Sequence, residues 1–343
     1  MQPTTYHDII VIGASAGGPA ALSRLLSELP AELPASLFLV NHLAPETAAQ
    51  VLLERIGKNS QLPCLLARHE EPFERGHAYL APPDHHLLIR DGRVLVTKGP
   101  KENRSRPAID PLFRSAAAAY GSRVIGVVLT GLLDDGTAGL SAVRRSGGIA
   151  VVQDPREAAY ADMPQSALRH AGADHCVPIA EMGSLLVNLA ALPAPTTTVP
   201  ADVVREAQIA ERLLSGIEGM VELGTTRLPY SCPDCGGALW EIKHDPVDRF
   251  RCQVGHAHTA ASFLSYQTAR LEETMWVALR LLEERRHMLL RLAERESGQG
   301  LGQMAEGRTR EAEETAIHIE RIRETLAAGP GQPSPGPGNR ATA

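Results

Sequence analysis

The chain has 343 residues, 43% hydrophobic and 22% charged, with a net charge of −6 and a pI near 6.1, the profile of a soluble globular protein of two or three units. The acidic balance and an aromatic content of 4% argue against a nucleic-acid surface. No apolar run reaches the ~20 residues that span a bilayer, and the N-terminus lacks the basic-then-apolar order of a signal peptide. Five cysteines are too few and too clustered for a disulfide scaffold, so a reducing compartment, the cytoplasm by default, is expected.

Ile9–Ile12 is a β-branched run that feeds into Gly13-Ala14-Ser15-Ala16-Gly17-Gly18, and a helical pattern follows from Pro19. Strand, tight turn and helix in that order place a side chain at the carboxyl edge of a sheet beside free helix amides. From there to about residue 190 short apolar strands alternate with helices. Strands are expected at Ser36–Val40, Ala78–Ala81, His86–Arg90, Val94–Thr97, Val124–Leu129, Ile149–Val152 and His175–Pro178. Helices are expected at Pro19–Leu29, Ala48–Lys58, Pro111–Tyr120, Thr137–Ser146 and Pro164–His170. The alternation predicts an α/β fold, a doubly wound, mostly parallel sheet covered on both faces. Segment 78–97 reads instead as antiparallel strands, because Arg90-Asp91-Gly92-Arg93 supplies a tight turn. Leu192–Pro200 is a Pro/Thr-rich linker, and a helix is expected over Asp202–Leu223.

A cysteine-bearing segment follows at Tyr230–Thr259. Beyond it Leu264, Leu271, Met275, Ala278, Leu282, Met288 or Leu289, and Leu292 recur at helical spacing, as do Ile317, Ile319, Ile322 and Leu326. Gly298-Gln299-Gly300 separates the two helices, so a helical hairpin or short coiled coil is expected. The Pro/Gly-rich residues 329–343 are expected to be disordered. The implied division is 1–192 as the α/β domain, 193–229 as linker and helix, 230–260 as the cysteine module, 261–328 as the helical pair and 329–343 as the tail.

The first turn could cradle a phosphate or present Ser15 as a nucleophile. It matches neither the dinucleotide nor the Walker fingerprint, but it does match G-x-S-x-G, a pattern a plain serine-capped helix start also fits. A nucleophile needs a base and an orienting acid. The second strand ends in Asn41-His42, where a ribose-binding acid would otherwise stand. Val127–Leu129 runs into Thr130-Gly131-Leu132-Leu133-Asp134-Asp135-Gly136. Asp-Gly is ordinary turn chemistry, but Ser, His and Asp at the ends of strands of one sheet form a stronger pattern. Their chain order differs from that of the α/β-hydrolases.

Five stretches carry a resemblance: Ile12–Gly18, His42, Gly76-His77-Ala78-Tyr79-Leu80-Ala81-Pro82, Arg106-Pro107-Ala108-Ile109-Asp110-Pro111-Leu112-Phe113, and Leu129–Gly131 through Asp135-Gly136. Together they resemble the CheB-type chemotaxis methylesterase family over residues 6–190. The resemblance implies hydrolysis of glutamate methyl esters on chemoreceptors, often with glutamine deamidation, and no cofactor for catalysis. It assigns Ser15 as nucleophile, His42 as general base and Asp135, the residue directly before Gly136, as the orienting acid, with Asp134 a neighbour. The backbone amides of Ala16, Gly17 and Leu132 are candidate oxyanion donors, and Met163-Pro164 matches a family dipeptide that an ordinary helix start would equally explain. Ala16 stands where many relatives have Thr, and Asn41 where Gln is frequent. Familiar members carry an N-terminal receiver domain; here Tyr6 leads directly into the first strand, so phosphorylation control within the chain is not expected. Arg104 and Arg106 could dock acidic receptor helices or simply be solvated.

Cys232-Pro233-Asp234-Cys235, Cys252 and His256 give C-x2-C-x16-C-x3-H, the spacing of a closed tetrahedral zinc site in a ribbon-like module; His258 is the alternate fourth ligand, with His256 favoured because Gly255 fits a second knuckle turn. Such a site would be structural. Cys64 and Cys176 read as packing residues. The helices beyond suggest partner binding or self-association. A rival reading from another class is a chemosensory scaffold whose zinc-helical tail binds partners and whose esterase activity is weak or absent.

Overall fold

The computed structural model describes residues 5–212, 226–243 and 245–328. Its central layer is a seven-stranded parallel sheet built from β1 (Ile9–Ala14), β2 (Ser36–Asn41), β3 (Cys64–Leu66), β4 (Ala78–Leu80), β7 (Val124–Val128), β8 (Ile149–Gln153) and β9 (His175–Val177). The strand order is β3-β4-β2-β1-β7-β8-β9, with β5 (His86–Arg90) and β6 (Arg93–Thr97) forming a separate antiparallel pair. The expected antiparallel arrangement therefore holds for β5 and β6 only. β4 joins the main sheet in parallel with β2 and β3, and a turn at Pro83-Asp84, with Asp84 at φ 55°, separates it from β5.

Every residue of β1 and β2 is buried. Side chains of successive strand residues point to opposite faces, so each strand feeds two cores. Ile10 and Ile12 join Leu37, Leu39, Ile125 and Val127 under α1 (Gly18–Ser27), α2 (Ala49–Gly57) and α6 (Ile179–Ala190). Ile9 and Val11 join Phe38, Val40, Val124 and Val128 under α3 (Ile109–Tyr120) and α4 (Thr137–Arg145). Each fully buried Leu or Ile contributes about 1.5–3 kcal/mol to this packing. Between α4 and α6 lies the short α5 (Asp162–Ser166). Strand β3 and helix α6 have no counterpart among the expected elements. Cys176 is exposed on the edge strand β9 and is not a packing residue, because its side chain alternates away from the core; Cys64 is half-buried.

The chain leaves the α/β layer along residues 193–200, which hold to the surface through Ala194 N to Thr5 O at 2.8 Å and Thr197 Oγ1 to Ser146 O at 2.7 Å. Helix α7 (Ala201–Ala210) follows, shorter than the span expected from Asp202; residues 213–223 of that expectation lie outside the described residues, as does the tail from 329. A four-stranded antiparallel sheet then forms in sequence order from β10 (Thr226–Ser231), β11 (Ala238–Ile242), β12 (Arg249–Cys252) and β13 (Ala257–Thr259).

This second sheet belongs to the same compact unit as the α/β layer, Met1–Phe263. A buried ion cluster joins the two. Glu102 accepts from Arg114 of α3 at 2.5 Å and from Arg251 of β12 at 3.3 Å. Glu206 of α7 accepts from Arg249 at 2.7 Å and Arg251 at 3.0 Å, while Arg249 also reaches Asp245 at 2.6 Å. Three guanidiniums thus meet three carboxylates out of water. The second unit, Leu264–Ala343, holds most of α8 (Ala260–Gly298) and all of α9 (Gly302–Ala328), folded into an antiparallel hairpin. Gly300, at φ 78°, makes the turn, and Arg323 pairs with Glu283 at 2.7 Å across it. Leu289 and Ile319 are buried within the hairpin, whereas Leu264 and Leu271, expected in its apolar stripe, are exposed.

Candidate active site

The chain runs from β1 to β2 on one side of β1 and returns to β7 on the other, so the crevice of the doubly wound sheet opens at the carboxyl ends of these strands. Ser15 leaves β1 there, and its amide donates to Thr130 O beyond β7 at 3.0 Å. The β1–β2 register pairs Ala14 with Asn41, which sets Ser15 beside His42. Ser15 Oγ lies 3.0 Å from His42 Nδ1, and His42 Nε2 lies 2.7 Å from Asp135 Oδ2. A carboxylate only accepts, so Nε2 carries the proton and Nδ1 turns its lone pair to the serine hydroxyl. The three residues the sequence singled out are brought together.

Two glycines make the close approach possible. At Gly131 a Cβ would sit 2.8 Å from Ser15 Cβ and 2.0 Å from Met163 Sδ, so only a hydrogen side chain fits between Ser15 and the buried methionine. Gly17, at φ 76°, takes the left-handed conformation that ends the turn and opens α1. Thr130 ties the turn down: its Oγ1 is 2.9 Å from Ala16 O and accepts from Tyr160 N at 2.9 Å. The amides of Ala16, Gly17 and Leu132 donate to no protein group among the described residues, and Leu132 is half-exposed beside this turn. Met163 is buried, with its amide donating to Gly131 O at 3.0 Å.

Asp135 is buried and surrounded by donors. Oδ2 takes His42 and the Ile109 amide, the latter at 2.7 Å; Oδ1 takes Asn103 Nδ2 at 2.9 Å, the Gly136 amide at 3.0 Å and the Asp110 amide at 3.3 Å. Burial pushes its carboxyl up, but the hydrogen bond and charge of His42, the Ile109 amide and Asn103 outweigh it and hold it below the usual carboxylate range. Asp110, fully buried next to it, goes the other way: burial first, then the Asp135 charge, pushes it well above that range. Asp134 faces elsewhere and accepts from Thr259 Oγ1 at 2.7 Å. Of the two adjacent aspartates, only Asp135 meets the histidine among these contacts. Arg106 is taken up by Asp84, at 2.9 Å from its Nε, and by Gly99 O, at 2.7 Å from its Nη1. It is therefore a loop brace, because its guanidinium is already paired. Sequence reasoning did not single out Asn103, which stands in a polar loop whose partners are far away in the chain, and it gave Thr130 no role of its own.

Some 100 residues beyond, Cys232, Cys235, Cys252 and His256 offer ligand atoms within 4.8 Å of one another, and Cys232, Asp234 and His258 form a second, overlapping group. Cys235 Sγ is 3.7 Å from Cys252 Sγ, and His256 Nδ1 is 3.5 Å from Cys252 Sγ and 3.8 Å from Cys232 Sγ. His258 is fully buried, with Nε2 3.2 Å from Asp234 and 3.8 Å from Cys232 Sγ.

A serine, a histidine and a buried aspartate in one hydrogen-bonded line on a doubly wound sheet have the arrangement found in serine hydrolases, in a chain order that differs from that of the α/β-hydrolases. The comparison with known proteins narrows this further. Residues 10–186 match the CheB methylesterase family, and the chain belongs to it. A relative from Leptospira interrogans is 36% identical over 186 residues, 53% of this chain and 95% of its own length. The proteins of Paramagnetospirillum magneticum and Geobacter metallireducens named protein-glutamate methylesterase/protein-glutamine glutaminase 1 are 36% and 38% identical, each matched over about half its own length (49% and 50%). The crystal structure of the Thermotoga maritima CheB methylesterase catalytic domain is similar with a TM-score of 0.51 and 33% identity, covering 53% of this chain and 98% of that one.

Proposed function

We propose that this chain is a protein-glutamate methylesterase acting on a methylated chemoreceptor or related signalling protein, with Ser15, His42 and Asp135 as its triad. The observation that carries the reading is the line from Ser15 Oγ through His42 to Asp135, with contacts of 3.0 and 2.7 Å. Ser15 Oγ attacks the ester carbonyl while His42 Nδ1 takes its proton and then delivers it to the departing methanol. Asp135 keeps the proton on Nε2 and stabilises the imidazolium. The amides of Ala16, Gly17 and Leu132 are the donors for the tetrahedral oxyanion. Water, activated by His42, then cleaves the acyl-serine and leaves a carboxylate. The same steps on a glutamine side chain release ammonia, which is the deamidation that the relatives' names include. The expected result is that Ser15→Ala folds normally and loses methanol release from a methylated receptor fragment. Activity retained within a few fold would refute the triad.

The cysteine cluster is proposed as a structural zinc site of Cys232, Cys235, Cys252 and His256. Zn–S and Zn–N bonds of about 2.3 and 2.05 Å give S–S and S–N tetrahedral edges of about 3.8 and 3.6 Å; the Cys235–Cys252 sulfurs are 3.7 Å apart and His256 Nδ1 lies 3.5 and 3.8 Å from the Cys252 and Cys232 sulfurs, close to those edges. The donor set, three thiols and an imidazole, suits zinc and leaves no open position for chemistry. Asp234 sits beside His258, which favours His258 as a packing histidine and His256 as the ligand. The helical unit exposes Leu271, Trp276, Leu281 and Met288, which supports self-association or partner binding there. Cysteines committed to a metal site rather than to disulfides accord with a cytoplasmic location. Among the described residues, no helix is long and apolar enough to cross a membrane.

A further inference from the structure

We propose that Asn103 is a positioning residue for Asp135, and that the cysteine-bearing sheet is the clamp that holds Asn103 in place, so that this module completes the active site from outside the catalytic layer. The inference rests on the triad reading above and adds a device to it.

Asn103 stands in the loop between β6 and α3, at φ 48°, and is buried. Its two amide protons go to the catalytic side: Nδ2 donates to Asp135 Oδ1 at 2.9 Å and to Asp110 Oδ2 at 3.1 Å. Its oxygen goes to the other module: Oδ1 accepts from Thr259 N at 3.1 Å and from Ser262 Oγ at 3.3 Å. The backbone of the same loop joins β13, with Asn103 N donating to Ala257 O at 2.9 Å and Ala257 N to Lys101 O at 3.3 Å. The orientation of the amide follows from its partners. The Asp135 carboxylate can only be met by the NH2 group, and the Thr259 N–H only by the oxygen, so the reversed amide would face a donor with a donor. Four hydrogen bonds therefore fill the side chain, two on each side of the boundary.

The neighbouring contacts make the clamp rigid. Glu102, one residue before Asn103, is fixed between Arg114 and Arg251. Thr259, on the far side, also donates to Asp134 in the loop that carries Asp135. The acid of the triad is thus gripped by an amide whose own position depends on residues about 150 positions later in the chain. Remove that grip and Oδ1 of Asp135 keeps only backbone amides, leaving the carboxylate and the imidazole it orients freer to rotate.

The test uses the full chain and a fluorophosphonate probe, which labels an activated serine whatever the natural ester. Asn103→Gly removes the amide and tolerates the left-handed backbone, so the fold is preserved as checked by its thermal melt. The labelling rate of Ser15 is expected to fall about 10- to 100-fold, the scale of a misplaced catalytic group. Two further readouts separate positioning from mere stability. The acidic limb of the rate–pH profile is expected to move to higher pH, because the His42–Asp135 pair loses a donor that disperses its negative charge. The downfield proton resonance of His42 Nε2–H is expected to shift and broaden. A wild-type rate, or a reduced rate with pH limb and resonance both unmoved, would overturn the proposal. If the wild-type protein itself fails to label, the triad reading falls, and the resonance alone then decides whether Asn103 positions Asp135.

Discussion

Substituting Glu102 by Gln breaks the ion cluster that joins the two sheets at the carboxylate shared by Arg114 and Arg251. Its Oε2 is 2.5 Å from Arg114 and its Oε1 3.3 Å from Arg251, with its side chain only 3% exposed. Glu102, Glu206 and Asp245 balance Arg114, Arg249 and Arg251; the variant leaves one excess positive charge in a water-excluded space. A glutamine oxygen can satisfy one guanidinium, and its NH2 then faces the other as donor against donor. Each charge pair at about 4 Å contributes about 4 kcal/mol at an effective dielectric of 20, part of it offset by the desolvation Glu102 no longer suffers. A net loss of about 3–5 kcal/mol is therefore expected, the usual result of orphaning a buried charge. Urea unfolding at pH 7 measures it. The pH dependence supplies a second check. Burial raises the Glu102 carboxyl, but the charges of Arg114, Arg251 and Arg249 win and hold it at about 2, below the 4.5 of a free side chain. A folded-state value below the unfolded one stabilises fully above pH 4.5 and fades as pH falls toward 2, so the wild type loses stability there and Glu102→Gln loses less. A change under about 1 kcal/mol at pH 7, the range of an exposed pair, would refute the account of a buried, mutually dependent cluster.

Asp135→Asn is expected to leave folding intact and cut ester hydrolysis roughly 10,000-fold, because the amide favours the wrong imidazole tautomer. Asp134→Asn, measured beside it in the same methanol-release assay, is expected to stay within a few fold of wild type; equal losses would undo the distinction between the neighbours. Purified without chelators, the protein is expected to hold about one equivalent of zinc, and stripping it is expected to lower the melting temperature of the unit containing β10–β13. Less than half an equivalent by metal analysis, or an unchanged melt after chelation, would count against the site.

The chemistry-bearing residues were legible in the sequence because each stands directly after an apolar strand or in a glycine-marked loop. Ser15 follows Ile9–Ala14 and His42 follows Ser36–Asn41, and a parallel sheet brings such ends to one edge. The grouping of Cys232, Cys235, Cys252 and His256 was legible for a similar reason, since Cys232 lies close to Cys235 in the chain and Cys252 close to His256. The pairing of β4 was not, because 78–80 and 86–97 both look like short strands and only the long-range partner decides which sheet each enters. The alternation Arg249-Phe250-Arg251 would place its arginines in solvent if β12 were half-exposed. In the fold they are buried instead, against Glu102 from the β6–α3 loop and Glu206 from α7. Asn103 is the sharpest case. Nothing in Lys101-Glu102-Asn103-Arg104 marks it as special, since its meaning comes from Asp135 on one side and Thr259 on the other. Local pattern and the geometry of parallel strands were enough to place Ser15, His42 and Asp135 at neighbouring strand ends. The contacts from Asp135 through Asn103 to Thr259 emerged only in the folded chain, because a hydrogen bond between residues about 150 positions apart leaves no periodic trace in the sequence.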